Sequence, residues 1–241
     1  MSTPKQLTIL QLYAQSMNIY GDWGNVQVLT KRAEWHGYTV QVIEHNVGDA
    51  FNEAADIIVG GGGQDSGQIA VQADLKRIAP QLKKLADDGT PMLLICGLYQ
   101  LFGHFFKTSS GDVIEGIGLL DLETHAGPER LIGNTILASE QFGEIIGYEN
   151  HSGQTFLAPG STPLGTVILG AGNNGHDQTE GVRYKNIIGT YLHGSLLPKN
   201  PRIADFLIEQ AATKRYGSFT PGIIDDSLAT KARAVAKKRP R

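Results

Sequence analysis

Residues 92–106 read MLLICGLYQLFGHFF. The first five form a fully apolar run, which predicts a short strand buried on both faces. The chain then turns at once into GLYQLFGHFF, which predicts a helix. Cys96 therefore stands at a strand-to-helix elbow. In α/β sheets ligands bind in the crevice beyond the carboxyl ends of the strands, so a side chain at that point is displayed to one. A following helix would also present its positive end to the thiol and favour the thiolate. Cys96 is the only cysteine, which rules out intramolecular disulfides and any zinc site built on two or more thiolates. A lone cysteine is more often buried filler than a nucleophile. Its place at the elbow is what argues for chemistry.

Upstream of the elbow, strand and helix patterns alternate. LTILQLY (7–13) and ADIIVG (55–60) are apolar runs of strand length, and TVQVIEH (39–45) alternates like a strand. Residues 23–36 place Trp23, Val26, Leu29 or Thr30 and Ala33 on one helical face, with Gly37 as the stop. Residues 68–89 predict a second helix, broken near Pro80 and stopped by Gly89. Doubly apolar strands separated by amphipathic helices indicate a mostly parallel central sheet flanked by helices, an α/β fold. Downstream of about residue 112 the pattern becomes short runs punctuated by glycine: VIEGIGLLDLET, NTILAS, GEIIGYEN, TVILGAG and NIIGTYLH. These predict antiparallel additions, a return to the main sheet, and a closing helix at 201–215.

At 241 residues, 41% hydrophobic and net charge -3, the chain is too apolar and too weakly charged to be disordered, and long enough to bury a sizeable core. No stretch approaches 18 consecutive apolar residues and no signal peptide is legible at the start, which predicts a cytoplasmic protein without a membrane span. The last eleven residues, KARAVAKKRPR, carry six Lys or Arg and no acid, leaving 15 basic against 24 acidic residues in the other 230. An acidic body is a poor nucleic-acid surface. The tail alone predicts a solvated, frayed terminus.

A second strand end carries GGGG at 60–63, without the pattern of a phosphate loop or a dinucleotide fingerprint. Such glycines let backbone N–H groups approach a ligand closely and stabilise an oxyanion. A thiolate that transfers acyl groups also needs a base. Of seven histidines, His193 ends the run IIGTYL and His151 lies in the polar stretch ENHSGQT, read as a turn; spacing does not choose between them.

GGGG after a strand, CGLYQ (96–100), GYENHSGQT (147–155) and GTYLHG (189–194) together resemble a class I glutamine amidotransferase domain of the cobyric acid synthase (CobB/CobQ) type, which has a flavodoxin-like fold. NIYGDWGN (18–25), ERLIGN (129–134) and YKNIIGTYLHGSLLPKN (184–200) extend the resemblance to the GatD family, the glutaminase subunits of lipid II isoglutaminyl synthases. It covers residues 7 to about 210, implying an amidotransferase domain at 6–215 and a C-terminal extension with the basic tail at 216–241. By this resemblance Cys96 is the nucleophile toward the side-chain amide of L-glutamine, and His193 is the general acid/base. Arg130 binds the substrate, and the backbone of Gly62 and Gly63 with the N–H of Leu98 forms the oxyanion hole. Gln100, Asn150, His151 and Ser152 are further candidate substrate contacts, with His151 positioning rather than acting as base.

Two departures stand out. Many relatives have glycine where this chain has Leu98, which would reshape the pocket wall. Triad enzymes of the class carry Glu where this chain has Ser195, so the resemblance implies a Cys/His dyad and leaves open what orients His193. No cofactor or metal is implied in this chain. ATP and Mg are expected on a partner, a MurT-like Mur ligase subunit forming a heterodimer, which would amidate the D-glutamate α-carboxyl of lipid II at the cytoplasmic face of the membrane. Alternatives are the amidotransferase subunit of a cobyrinic acid type synthetase, or a non-catalytic flavodoxin-like binding module with an inert Cys96. The basic tail could contact the ligase or anionic lipid.

Overall fold

The computed structural model describes residues 5–193 and 195–239; Gly194 of the GTYLHG motif and Arg241 of the basic tail lie outside the described residues. The chain begins with β1 (Gln6–Leu12), α1 (Gly24–Trp35), β2 (Thr39–His45), β3 (Ile57–Gly60), α2 (Asp65–Asp87), β4 (Met92–Ile95) and α3 (Gly97–Leu101). Nine strands follow: β5 (Phe105–Lys107), β6 (Val113–Glu115), β7 (Leu122–Ser139), β8 (Gly143–Leu157), β9 (Gly165–Leu169), β10 (Thr179–Glu180), β11 (Val182–Tyr184), β12 (Ile187–Thr190) and β13 (Leu192–His193). Helices α4 (Pro201–Tyr216) and α5 (Ser227–Ala236) close the chain.

The main sheet has the order β11-β12-β4-β3-β1-β2, parallel throughout except for β11 against β12. From β2 to β12 this is the doubly wound order of flavodoxin-like folds, in which ligands sit at the carboxyl ends near the strand reversal. β3 and β4 are buried at every position, as their unbroken apolar character dictates, and so is β12, whose one polar side chain, Thr190, is satisfied by Glu180; β2 is an edge strand whose residues are mostly exposed or half-buried. The second sheet runs β10-β9-β7-β5-β6, with β8 paired to β7 and β13.

Several local expectations are corrected. Trp23 is exposed rather than on the buried face of α1, because the helix begins only at Gly24; Val26, Leu29 and Ala33 do face the core. α2 runs unbroken through Pro80. An interior proline costs about 3 kcal/mol or more, and buried Val71, Leu75, Ile78, Leu82 and Leu85 on both sides of it, each contributing about 1.5–3 kcal/mol, offset that. The helix after Cys96 is only five residues long. Gly103 lets the backbone close against Leu122, and Phe106 buried beside exposed Lys107 then follows the alternation of a strand. ENHSGQT is not a turn but the middle of β8.

The C-terminal segment is also more ordered than a frayed tail. Arg233 donates to the carbonyls of Lys199 (2.6 Å) and Glu144 (2.8 Å), and Lys237 pairs with Glu144 at 2.5 Å, so part of the basic charge is spent on an acid of the body. Among the described residues no helix is long and apolar enough to cross a membrane.

Candidate active site

Ile95 and Thr190 are register partners in adjacent parallel strands. Cys96 follows the first directly and His193 comes three residues after the second, so strand pairing brings both to one sheet edge. Cys96 occupies a left-handed backbone conformation (φ 49°, ψ −103°), which costs a non-glycine residue on the order of 1–3 kcal/mol. The surroundings hold it there: its N–H donates to the carbonyl of Thr190 (2.8 Å), and its carbonyl accepts from the N–H of Gln100 (2.9 Å). Such an elbow turns the side chain out of the sheet toward the crevice. With α3 so short, the helix dipole is a weak source of positive charge for the thiol; His193 is the stronger one.

His193 is almost fully buried. Its Nδ1 lies 3.5 Å from Oδ2 of Asp22, and the ring of Tyr20 meets it edge-on with centroids 4.9 Å apart. Burial opposes the charged imidazolium, but the charge of Cys96 and the hydrogen bonding and charge of Asp22 outweigh it, raising the pKa of His193 to about 10. The arrangement keeps His193 as the imidazolium beside Cys96. Gly62 has to be glycine here, because a Cβ would fall 2.7 Å from Cε1 of His193. Likewise a Cβ on Gly97 would lie 2.9 Å from the nitrogen of Gly63, so the glycine loop and the elbow pack backbone to backbone.

The resemblance made Gly62, Gly63 and Leu98 the oxyanion donors. The Gly62 N–H is instead donated to Asp22 Oδ2 at 2.8 Å, since that carboxylate is the nearest strong acceptor. The Leu98 N–H faces the carbonyl of Gly61 over a long 3.4 Å. Gly63 lies on the wall of the cavity. The Leu98 side chain does not reshape that wall. It packs against Gly60, where a Cβ would sit 2.4 Å from Leu98 Cδ1, so the glycine on the strand makes the room for it.

A cavity of about 410 Å³ opens over Cys96 and is lined also by Tyr20, Gly63, Asp65, Gln68, Gln100, Arg130, Asn150, His151 and Ser152. Arg130 reaches it because the β7–β8 register slips between Ala126 and Leu131, pushing residues 127–130 out opposite Ser152. Its Nε donates to Asn150 Oδ1 (2.6 Å) and its terminal nitrogen to the Tyr20 hydroxyl (3.3 Å), so Asn150 orients the guanidinium. Gln100 accepts from Gln68 (2.8 Å) and donates to the Tyr191 hydroxyl (2.9 Å), so both ends of its amide are engaged within the protein.

His151 stacks on Tyr191 with centroids 3.5 Å apart and planes 5° from parallel. Its Nδ1 lies 2.6 Å from the carbonyl of Gly153, which can only accept, so Nδ1 carries the proton. Burial, against partial support from that carbonyl, lowers the pKa of His151 to about 3, which leaves it neutral and a weak base.

Tyr20 and Asp22 carried no assignment in the sequence. The available signal was a single acid, Asp22, set between glycines in a motif of the resemblance.

Residues 8–201 match the CobB/CobQ-like glutamine amidotransferase domain. The GatD subunit of lipid II isoglutaminyl synthase (glutamine-hydrolyzing) from Staphylococcus aureus strain N315 is 41% identical over 95% of this chain and 94% of its own length. The corresponding subunit from Streptococcus pneumoniae R6 is 40% identical over 89% of this chain and 84% of its own. Among solved structures, PurLQS from Thermotoga maritima superposes with a TM-score of 0.55 at 14% identity, covering 86% of this chain and 98% of that one. A glutamine amidotransferase from the same organism gives 0.54 at 14% identity over 96% and 93%. These two share the fold. The domain match and the two close relatives show more: the chain belongs to the CobB/CobQ-like glutamine amidotransferase family, with the GatD subunits among its relatives.

Proposed function

We propose that this chain is the glutamine-hydrolysing subunit of a lipid II isoglutaminyl synthase and supplies ammonia to an ATP-dependent Mur ligase-like partner of the MurT kind. The observation that carries the reading is the strained elbow of Cys96, on a cavity that also holds Arg130, with buried, positively biased His193 paired to that cysteine. L-Glutamine enters with its α-carboxylate on the Arg130 guanidinium, whose fork suits a carboxylate. The Cys96 thiolate attacks Cδ of the side-chain amide, and the carbonyl oxygen takes up the electron pair. Gly63 and the N–H of Leu98, released from its long contact with Gly61, are the backbone donors available to that oxyanion. Imidazolium His193 gives its proton to the amide nitrogen, the C–N bond breaks, and ammonia leaves a γ-glutamyl thioester. Water then attacks the thioester, His193 takes the proton, and glutamate and free Cys96 are restored.

Ammonia alone does not amidate a carboxylate, which must first be activated. That step belongs to the partner, which binds ATP and Mg and acts on the D-glutamate α-carboxyl of lipid II. Identity of about 40% to two GatD subunits over most of both lengths supports this acceptor. A protein named as a probable cobyric acid synthase from Methanococcus maripaludis, by contrast, is 34% identical over only 38% of its own length. The test is ammonia release from L-glutamine: Cys96→Ala and His193→Ala each abolish it with circular dichroism unchanged. Continued release by the cysteine variant refutes the reading.

A further inference from the structure

The acid–base work assigned to His193 needs one ring nitrogen turned to Cys96 and the other held. At the position where triad enzymes of the class carry Glu, this chain has Ser195, whose hydroxyl donates to the carbonyl of Gly21 (2.9 Å). The residue after Gly21 is Asp22. We infer that Asp22 is the positioning residue of the site: its carboxylate holds the Nδ1 proton of His193 and so fixes the ring with Nε2 free to serve Cys96. This rests on the glutaminase reading above and deepens it.

Four observations support the assignment. First, the Asp22 and His193 side chains are 2% and 1% exposed, with Nδ1 and Oδ2 3.5 Å apart, so their attraction is little screened by water. The separation is long for a hydrogen bond, as unliganded sites often are before substrate tightens them. Second, Oδ1 of Asp22 and both nitrogens of His193 are buried without a hydrogen-bond partner among the described residues, a costly state that a closer approach of the two side chains relieves at Asp22 and Nδ1, leaving Nε2 to Cys96.

Third, the loop presenting Asp22 is braced on every side. Gly62 N–H donates to Oδ2 (2.8 Å), Asn25 N–H to the Asp22 carbonyl (2.9 Å) and Trp23 N–H to Asn18 Oδ1 (2.9 Å). Ser195 ties Gly21 to the strand-end segment that carries His193. Fourth, the charged and titratable groups facing the imidazole are Cys96, Asp22, the Tyr20 ring and His151, and Asp22 is the only acid among the described residues that pairs with it.

Asp22→Asn separates charge from architecture, because an asparagine oxygen still accepts from Gly62 while the negative charge is gone. In full-length protein this variant should lower kcat for glutamine hydrolysis by about 100-fold or more while KM changes by less than about threefold. The alkaline limb of kcat should move down by at least about one pH unit as the imidazolium loses its counter-charge. A wild-type kcat and pH profile in Asp22→Asn overturns the assignment. A readout that needs no variant is the imidazole NMR spectrum of the wild type at pH 8, which should show Nδ1 of His193 protonated; a ring protonated only at Nε2 overturns it equally. Ammonia release surviving in Cys96→Ala would instead sink the underlying reading, whatever Asp22→Asn does.

Discussion

Ile95 and Thr190 stand opposite each other in β4 and β12, and this one register pairing carries the elbow of Cys96 and the strand end of His193 to the same edge of the sheet. Between them lies the stem that positions both. Thr190 also receives the N–H of Cys96 on its carbonyl and turns its hydroxyl to Glu180, which in turn accepts the N–H of Tyr191 at 2.7 Å. Cys96 and His193 thus stand on a fully buried polar frame.

That frame makes stability depend on pH. Burial, against the donors of Tyr191 and Thr190 and with the Glu149 charge adding to it, raises the pKa of Glu180 to about 8. An acid whose folded pKa lies above its unfolded value contributes stability that is fully present below about pH 4.5 and is lost as pH rises through 8. A shift of this kind corresponds to a loss on the order of a few kcal/mol across that window. Glu180→Gln keeps an acceptor for Tyr191 and offers a donor to Thr190 without the ionisation. It should match the wild type near pH 5 and melt several degrees higher at pH 8.5, read by calorimetry. Parallel pH profiles for the two proteins would contradict this.

Arg130 should act on substrate binding more than on chemistry. Its guanidinium is held by Asn150 at the cavity mouth, and a hydrogen bond to a charged group contributes about 1.5–3 kcal/mol. Arg130→Ala should therefore raise the KM for glutamine about 10- to 100-fold with a smaller change in kcat, and Asn150→Ala should shift KM in the same direction by less. Steady-state ammonia release measures both. An unchanged KM in Arg130→Ala would remove the arginine from the substrate site.

The contact of Gly60 with Leu98 is testable as a pair. Gly60→Ala places a methyl 2.4 Å from Leu98 Cδ1 and should destabilise by about 1–3 kcal/mol through overpacking. Adding Leu98→Ala should restore part of that loss, so the double variant is more stable than the two single effects sum to. Denaturant midpoints give the answer. Strict additivity would mean that the two residues do not share this space.

The parts of the fold that were legible in the sequence are those where one physical demand dominates. β3 and β4 are buried on both faces and had to be apolar throughout, and Gly37, at φ +87°, ends α1 as its freedom allows. The parts that were not legible are those where distant partners decide. Pro80 is carried inside α2 by side chains that pack on either side of it. Residues 149–155 look like a polar turn but lie in β8, where Glu149 accepts the N–H groups of Ala171 and Gly172 and His151 stacks on Tyr191. The elbow at Cys96 showed itself through a strand ending in a thiol. Asp22 did not, because its role exists only once β1, the glycine loop and β13 converge.

The most direct test of the account joins the two half-reactions. Purified chain, its ligase partner, ATP, Mg and lipid II are mixed with either L-glutamine or ammonium chloride as nitrogen source, and amidated lipid II is measured by mass spectrometry. With Cys96→Ala, the account predicts that glutamine-dependent amidation disappears while amidation from ammonium chloride persists. Glutamine-dependent amidation that survives in Cys96→Ala would contradict it.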